Sequence, residues 1–296
     1  MRPQDLARLV ALGAMWGASY LFMRAAVPHF GSVLMIELRV LLAGLLLAAF
    51  MLATGAPANW RRHWRPWLVV AVVGTAVPFM LIAEAVRTID ASTASILNAL
   101  VPLFTTIVAA FWIRDRITVP KAAGIALSIT GTAVLVGWTP APMSAEELAA
   151  AAMSVTATLL YGINIVYSRV RLRDATPIST SAWTLLMAAA VLLPAAVPVD
   201  RDLAAVPATA WLALAGLAVV STTVAFIYYY RLIADIGPVK ASTVTLLVPV
   251  FGMVWGVAFL GEPLTPGRLT GCAIILLGCA LILGILRVPA RVPASE

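Results

Sequence analysis

Charged side chains are scarce in this sequence. Only 11% of its 296 residues are charged, against about 25% in an average soluble domain. A soluble protein must cover its surface with polar groups, and a chain with 62% hydrophobic residues and a mean hydropathy of +1.00 has too few of them. Disordered chains are rich in charge and poor in apolar residues, so the same figures exclude disorder. The composition therefore predicts an integral membrane protein.

Residues that build metal and redox sites are also few. Two cysteines, Cys272 and Cys279, cannot form a disulfide scaffold or a four-cysteine metal site, and two histidines are too few for most zinc sites. The chain has no P-loop, HExxH, GxSxG or CxxC pattern. We therefore expect no metal, no cofactor and no enzyme activity, since an enzyme in the membrane would need a nucleophile or metal cluster at membrane depth.

Long apolar segments fill most of the chain. A helix needs about 20 apolar residues to cross the hydrocarbon core. Ten such segments are present, at residues 6–27, 32–53, 67–86, 91–113, 119–138, 146–168, 178–198, 208–231, 239–260 and 267–287. Strands of an outer-membrane barrel would alternate over about ten residues instead. The predicted fold is all-α, with ten transmembrane helices and short loops.

Positive charge is distributed unevenly over the loops between these spans. With the N-terminus inside, fifteen Lys and Arg residues lie on the cytoplasmic side and three outside. The inside set is Arg2, Arg8, Arg61, Arg62, Arg65, Arg114, Arg116, Lys121, Arg169, Arg171, Arg173, Arg231, Lys240, Arg287 and Arg291, and the outside set is Arg87, Arg201 and Arg268. This positive-inside pattern predicts cytoplasmic termini. The net charge of +7 then reflects topology and requires no nucleic-acid partner.

The chain contains an internal repeat. Residues 72–137 align without a gap on residues 219–284, at a constant offset of 147. The matching pairs are Thr75 with Thr222, Phe79 with Phe226, Ser95 with Ser242, Pro102 with Pro249, Phe104 with Phe251, Thr118 with Thr265, Gly124 with Gly271 and Gly131 with Gly278. The earlier spans match more loosely, Trp16 and Gly17 lying opposite Tyr161 and Gly162. Residues 1–143 and 144–296 are therefore predicted to be two five-helix repeats.

An odd number of helices decides the geometry of such a repeat. The second unit enters the membrane from the opposite side, which makes the topology inverted. Inverted repeats are typical of secondary transporters, whose halves rock around a central site. The alternative is a duplicated structural bundle without a transport role.

Several motifs resemble those of a known family. Trp16 and Gly17, Arg39, and the stretches LVPLF at 100–104 and LVPVF at 247–251 are similar to the drug/metabolite transporter superfamily, in its ten-helix EamA-type branch. The turn GEPLT at 261–265 resembles the acidic turn before that family's last helix. Its first-half counterpart is RDRIT at 114–118, in which Arg114 replaces the usual glycine. The resemblance implies metabolite or amino-acid export across a bacterial inner membrane. It also implies a central cavity lined by spans 1, 3, 4, 6, 8 and 9, and a structural role for Arg39.

Polar side chains in hydrocarbon are costly, so they should face the bundle interior. Ser95, Asn98 and Pro102 share one face of the fourth span, as their repeat counterparts do in the ninth. The predicted substrate-binding residues are Trp16, Ser19, Tyr20, Glu84, Ser95, Asn98, Tyr161, Asn164, Tyr229, Ser242 and Thr245, with helix kinks at Pro78, Pro102 and Pro249. For any single Ser or Thr, the alternative is a helix-packing role.

Four ionisable residues lie within spans, in the predicted outer half of the membrane: Arg24, Glu37, Arg39 and Glu84. Their charges sum to zero, so they are candidates for ion pairs that join the first three spans, chiefly Glu37 and Arg39. Glu84 is the better functional candidate. Paired with Arg24, or with Arg87 one turn further along the chain, it would close the outer gate. Without a partner it could carry a proton.

The sequence therefore predicts a multi-pass inner-membrane exporter of small metabolites such as amino acids or amines. A pocket of aromatic and amide groups suits a zwitterion or amine with an apolar side chain. A proton-coupled antiporter, and a receptor or scaffold without transport, remain alternatives. The expected partners are the substrate, the lipid bilayer and, if transport is coupled, protons. The protein is expected to be a monomer or a weak homodimer.

Overall fold

A computed structural model describes residues 2–137, 143–199 and 202–286 of the chain, and in these ranges it is helical without strands. Nine long helices follow one another: α1 Pro3–Ala53, α2 Trp60–Thr88, α3 Ala91–Trp112, α4 Val119–Gly137, α5 Ala145–Arg171, α6 Pro177–Ala196, α7 Ala208–Ile236, α8 Ser242–Leu260 and α9 Pro266–Ile282. Helices α1 to α8 are long and apolar enough to cross a membrane, and α9 is a shorter apolar helix. The basic residues Arg201, Arg287 and Arg291, and with them the C-terminus, lie outside the described residues.

Helix α1 is not straight. Its 51 residues would span about 76 Å, more than twice the hydrocarbon core. The helix breaks at Gly31, whose φ of 73° and ψ of 166° lie in a region that only glycine adopts freely. The Nη1 atom of Arg39 lies 3.8 Å from the Sδ atom of Met23, sixteen residues away, so the chain folds back at Gly31. The sequence predicts two spans here, and the structure contains two antiparallel arms, residues 3–30 and 32–53.

Four helices contain irregular stretches, three of them near the middle of the helix and one at its start. Helices α2 and α7 pass through π-helical turns at Val72–Ala76 and Gly216–Val224. Helix α3 is divided into Ala91–Asn98 and Val101–Trp112, and α8 begins with the 3-10 turn Ser242–Leu246. The predicted kink residues Pro78, Pro102 and Pro249 each come within three residues after one of these stretches. Proline removes a backbone hydrogen bond and so favours such interruptions.

Close helix contacts use small residues. In α4 and α9, a Cβ atom at Gly124 would lie 2.5 Å from the carbonyl oxygen of Gly278, and one at Gly131 would lie 2.9 Å from that of Gly271. These distances leave no room for a side chain, so the two backbones approach as in other membrane helix pairs. Elsewhere, Gly17 of α1 packs on Phe251 of α8, and its counterpart Gly162 of α5 packs on Phe104 of α3.

Candidate functional site

A central cavity of about 380 Å³ lies among all the long helices except α4 and α9. This volume is in the range of small-molecule sites. Eight of the predicted substrate-binding residues line it: Trp16, Ser19, Tyr20, Asn98, Tyr161, Asn164, Tyr229 and Thr245. The predicted spans 1, 3, 4, 6, 8 and 9 all contribute. The second arm of α1 and helix α6 also contribute, through Arg39 and Thr184, which the sequence did not assign to a cavity.

The lining residues occur in pairs related by the internal repeat. Nine pairs share one of two constant offsets, 145 before residue 40 and 147 after residue 70. They are Trp16 with Tyr161, Ser19 with Asn164, Tyr20 with Ile165, Arg39 with Thr184, Gly74 with Ser221, Phe79 with Phe226, Ile82 with Tyr229, Asn98 with Thr245 and Val101 with Val248. The two halves of the chain therefore build the cavity in nearly equal parts. Applied to the predicted binding residues, the repeat offset identifies two of the missed lining residues, Ile165 from Tyr20 and Ile82 from Tyr229.

Three proline residues lack the backbone N–H group that would bond a carbonyl next to the cavity. A proline at position i cannot donate to the carbonyl of residue i−4. For Pro78, Pro102 and Pro249 those residues are Gly74, Asn98 and Thr245, and all three line the cavity. These three carbonyls have lost their usual helical donor, which makes them candidate acceptors for a polar ligand.

The amide side chains differ in their hydrogen bonding. The Oδ1 atom of Asn98 is buried and has no hydrogen-bond partner. Asn164 packs directly on Gly74, where no side chain would fit, and its Oδ1 atom accepts from Ser168 at 3.4 Å. The hydroxyl of Thr245 donates to the carbonyl of Ser242 at 2.9 Å. Asn98 therefore presents the one fully buried acceptor of the cavity without a donor, among the residues that the structure describes.

Three predicted binding residues lie away from the cavity lining. Ser95 is fully buried, donates to the carbonyl of Ser92 at 2.7 Å and packs on Gly252, so it joins α3 to α8. Ser242 belongs to the 3-10 turn of α8 and is not a lining residue. Glu84 lies beside a second, mostly apolar cavity of about 310 Å³. A shared helix face with Asn98 does not bring Ser95 to the cavity, because α8 covers that part of α3.

Glu84 does not pair with Arg24 but with Arg87, the other partner that the sequence offers one turn further along the helix. Glu84 pairs with Arg87 of its own helix at 2.8 Å and accepts from Ser32 at 2.5 Å. Arg24 instead donates to the backbone carbonyls of Val86 and Ile89, which lie at the end of α2. The guanidinium of Arg24 thus binds carbonyls at the C-terminal end of a helix, which attract cations.

Glu37 and Arg39, the residues most expected to join the first three spans by ion pairs, form no ion pair among the described residues. Glu37 is buried, and its Oε2 atom has no hydrogen-bond partner. Arg39 is buried and lines the cavity, where its Nε donates to the hydroxyl of Thr222 at 3.1 Å. Because residues two apart on a helix point to nearly opposite sides, the two charges do not meet.

The comparisons with known proteins agree with this architecture. A family model described as the EamA-like transporter family matches the chain twice, over residues 6–137 and 148–284. The chain belongs to the EamA-like transporter family. A solved crystal structure with a TM-score of 0.68 covers 95% of this chain and 96% of its own, at 19% identity, so the fold is shared.

Relatives of this EamA-like chain carry transporter names. It is 28% identical to the uncharacterized inner membrane transporter YedA of Escherichia coli K12 over 294 residues, which is 96% of this chain and 92% of that protein. It is 25% identical to the "Probable amino-acid metabolite efflux pump" of Salmonella typhimurium over 284 residues, 92% of each chain. The "Probable terminal-alkyne amino-acid exporter" of Streptantibioticus cattleyicolor is 25% identical over 194 residues, 66% of this chain and 64% of that protein.

The acidic turn of this EamA-like protein holds the N-terminus of another helix. Glu262, in the loop between α8 and α9, accepts from the backbone N–H groups of Ala91 at 2.7 Å and Ser92 at 2.9 Å, and from the Ser92 hydroxyl. We call Glu262, Ala91 and Ser92 the Glu262 clamp. A carboxylate at a helix N-terminus satisfies free N–H groups and interacts with the helix dipole. Next to the clamp, Arg268 pairs with Asp90, so two contacts join this loop to α3.

The corresponding turn of the first half makes no such contact. Asp115, the counterpart of Glu262 at offset 147, pairs at 3.2 Å with Lys121, the counterpart of Arg268, and is 45% exposed. Glu262 is 7% exposed. In the described part of the chain, the carboxylate of Asp115 therefore stays within its own loop, and the short helix Pro238–Ala241, where the second-half equivalent of α3 begins, receives no bond from it.

Proposed function

We propose that this protein is a bacterial inner-membrane secondary transporter that exports small metabolites, such as amino acids or amines, by alternating access. The observation that carries the proposal is the central cavity, which nine residue pairs from the two halves line together. A site shared between two related halves is what alternating access requires, because a rocking motion of the halves exposes it to either side. Two relatives whose names include "exporter" or "efflux pump" support the direction.

Ten membrane crossings in two groups of five follow if each arm of α1 crosses once. The break at Gly31 and the contact of Arg39 with Met23 support this count. The two matches to the family model, 6–137 and 148–284, each fall inside one predicted repeat and support a boundary near residue 143.

An inverted arrangement of the two halves is supported by the glycines of α4 and α9. Gly124 corresponds to Gly271 at offset 147 but contacts Gly278, and Gly131 corresponds to Gly278 but contacts Gly271. The contact therefore runs antiparallel between two equivalent helices. A two-fold axis that relates antiparallel helices must lie across them, which for membrane helices means in the membrane plane.

The Glu262 clamp supports one particular state of the transport cycle. With the N-terminus inside, as the distribution of Arg and Lys predicts, Glu262 and the start of α3 lie on the outer side, and Asp115 lies on the inner side. We infer that the outer side is closed by the Glu262 clamp and that the cavity opens inward. Transport would then require the clamp to open and the loop of Asp115 to move onto the N-terminus at residues 238–241.

Proton coupling has one observation in its favour. Glu37 is a buried carboxylate in a membrane helix, and one of its oxygens has no partner among the described residues. Intramembrane carboxylates of this kind often mark proton pathways. If Glu37 carries a proton, Glu37→Gln abolishes flux driven by a pH gradient and leaves substrate exchange intact.

Counterflow in proteoliposomes tests the proposed function. Labelled amino acids and amines are tried as probes, with Asn98→Ala and Asn164→Ala as cavity variants and Thr156→Ala, an exposed position on α5, as the matched control. We expect exchange of at least one probe, a tenfold or larger loss in the cavity variants, and wild-type exchange in the control. Absence of exchange for every probe would favour a receptor or scaffold, and normal exchange in both asparagine variants would place the binding site elsewhere.

A further inference from the structure

Among the residues that the structure describes, Arg39 is the one charged residue that lines the central cavity. It is only 6% exposed, and it lies within the membrane-spanning part of α1. A charge at this depth is costly unless a partner compensates it, and membrane proteins retain such charges where they function. Its surroundings therefore decide what it can do.

The described partners of Arg39 are all uncharged. Its Nε donates to Thr222, its Nη1 lies 3.8 Å from the sulfur of Met23, and its Cζ lies 3.9 Å from the centre of the Phe79 ring. The Thr222 hydroxyl donates its own hydrogen to the carbonyl of Leu217 at 2.8 Å, so it serves Arg39 only as an acceptor. A guanidinium has five N–H donors. Most of those on its two terminal nitrogens have no acceptor in the part of the chain that the structure describes.

The other lining residues within the described ranges supply acceptors and hydroxyls but no carboxylate. The repeat counterpart of Arg39 is Thr184, so the positive charge belongs to one half only. Tyr20 and Tyr161 are the titratable groups facing the guanidinium. The cavity therefore carries a net charge of +1 without a counter-ion, and a purely cationic amine would be repelled inside this low-dielectric space.

We infer that Arg39 binds a carboxylate of the substrate, and that the unpaired Oδ1 of Asn98 accepts a hydrogen bond from the substrate's ammonium group. The transported class is then α-amino acids and related zwitterions rather than simple amines. This inference rests on the proposed transport function. A guanidinium and a carboxylate form strong, often bidentate, charge-assisted hydrogen bonds, and the orphan amide oxygen is the acceptor that an ammonium needs. The aromatic groups of Trp16, Phe79 and Tyr229 supply area for an apolar side chain.

A structural role for Arg39 makes a different prediction. If Arg39 only joins α1 to α7 through Thr222, then Thr222→Val has the same consequence as Arg39→Gln. If Arg39 binds the carboxylate, Thr222→Val keeps the charge in place and keeps the preference for carboxylates. Arg231→Gln removes one exposed positive charge from α7 and is the matched control.

Thermal shifts of the purified full chain, together with counterflow, measure this preference. The probes are matched series: leucine, leucinamide and 3-methylbutylamine, the same three forms of methionine, and the same three forms of phenylalanine. We expect the amino acids of at least one series to stabilise the protein, and the amide and the amine to need roughly ten- to hundred-fold higher concentrations. Arg39→Gln should abolish the difference, and Arg39→Lys should restore part of it.

Each other outcome overturns a defined statement. If amines or amides act as well as amino acids on the wild-type protein, or if Arg39→Gln keeps the carboxylate preference, the inference is wrong while transport stands. If Thr222→Val loses the preference as completely as Arg39→Gln, Arg39 is structural. If no probe of any class shifts the protein or is exchanged, both the inference and the proposed function fail.

Discussion

The loop that joins α8 to α9 and its counterpart between α3 and α4 have the same backbone but different partners. The N–H group of Glu262 donates to the carbonyl of Gly256 at 3.1 Å, and that of Asp115 donates to the carbonyl of Ala109 at 3.1 Å. The residue before each acid has a left-handed backbone, with φ of 66° at Gly261 and 55° at Arg114. The basic residues that follow each donate to a loop carbonyl of their own turn. Only the second-half loop holds the N-terminus of another helix.

The two loops differ in how the adjacent helices pack and not in the backbone of their turns. At the clamp, Gly256 has no side chain, and a Cβ there would collide with the carboxylate of Glu262 and the hydroxyl of Ser92. Ala109 occupies the equivalent place in the first half. Two repeats that are alike in sequence thus differ in one contact between a loop and a helix, and the proposed inward-open state rests on that difference.

Removing the charge from one clamp residue should have the largest effect. In Glu262→Gln, the amide group turns an N–H donor toward the N–H groups of α3, and charge-assisted hydrogen bonds of about 1.5–3 kcal/mol are lost. We expect a roughly ten- to hundred-fold shift toward the outward-open state and a comparable fall in counterflow.

Asp115→Asn is the matched variant in the other loop. Because Asp115 is half-exposed and paired only with Lys121, its replacement should leave the closed outer side unchanged. Equal losses of outer closure in both variants would contradict the proposed difference between the loops.

Giving α8 the alanine that α3 has at the equivalent position should weaken the clamp without removing it. Gly256→Ala places a methyl group against Glu262 and Ser92, and such overpacking costs about 1–3 kcal/mol, partly offset by the better helix propensity of alanine. We expect a roughly five- to thirty-fold shift toward outer opening. It is measured by the reaction of a cysteine at residue 245 with a membrane-impermeant maleimide added from the periplasmic side. Ala109→Gly serves as the reciprocal variant, and an unchanged cysteine reaction in Gly256→Ala would show that the tight packing is not needed for closure.

Glu84 lies on the same predicted outer side but should contribute little to closure. Its side chain is 43% exposed and pairs with Arg87, and exposed pairs of this kind contribute about 0–1 kcal/mol. We expect Glu84→Gln to change exchange and pH-driven flux by less than about threefold. A loss of pH-driven flux with exchange intact would instead show that Glu84 carries a proton, and that control of the outer side does not depend on the Glu262 clamp alone.

The smallest effect should come from the turn itself. Arg114 adopts a φ of 55°, a left-handed conformation that costs a non-glycine residue about 1 kcal/mol or more. Arg114→Gly should raise the melting temperature by a few degrees and leave transport at the wild-type level. Gly261→Ala should lower the melting temperature, and an increase there would mean that the two turns are not equivalent.

Much of this architecture could be predicted from the sequence because it depends on local signals. Hydropathy gives the extents of the spans, the 147-residue offset indicates the repeat, and spacings of three and four residues placed Asn98 and Thr245 on inward faces. The partners of charged side chains could not be predicted in this way. Whether Arg24 reaches a carboxylate or a backbone carbonyl depends on where α2 ends against α1, and the Glu262 clamp joins residues 171 positions apart. Arg39 was missed as a cavity residue because its role was inferred from family resemblance alone.

The side from which the cavity can be reached tests the central claim most directly. A single cysteine replaces Thr245 in a chain whose two buried native cysteines are changed to serine, and a membrane-impermeant maleimide is added to either side of oriented vesicles. The account predicts that this cysteine reacts mainly from the cytoplasmic side, and that Glu262→Gln increases its reaction from the periplasmic side at least tenfold while Asp115→Asn does not. Reaction mainly from the periplasmic side in the wild-type background, or no change with Glu262→Gln, would contradict it.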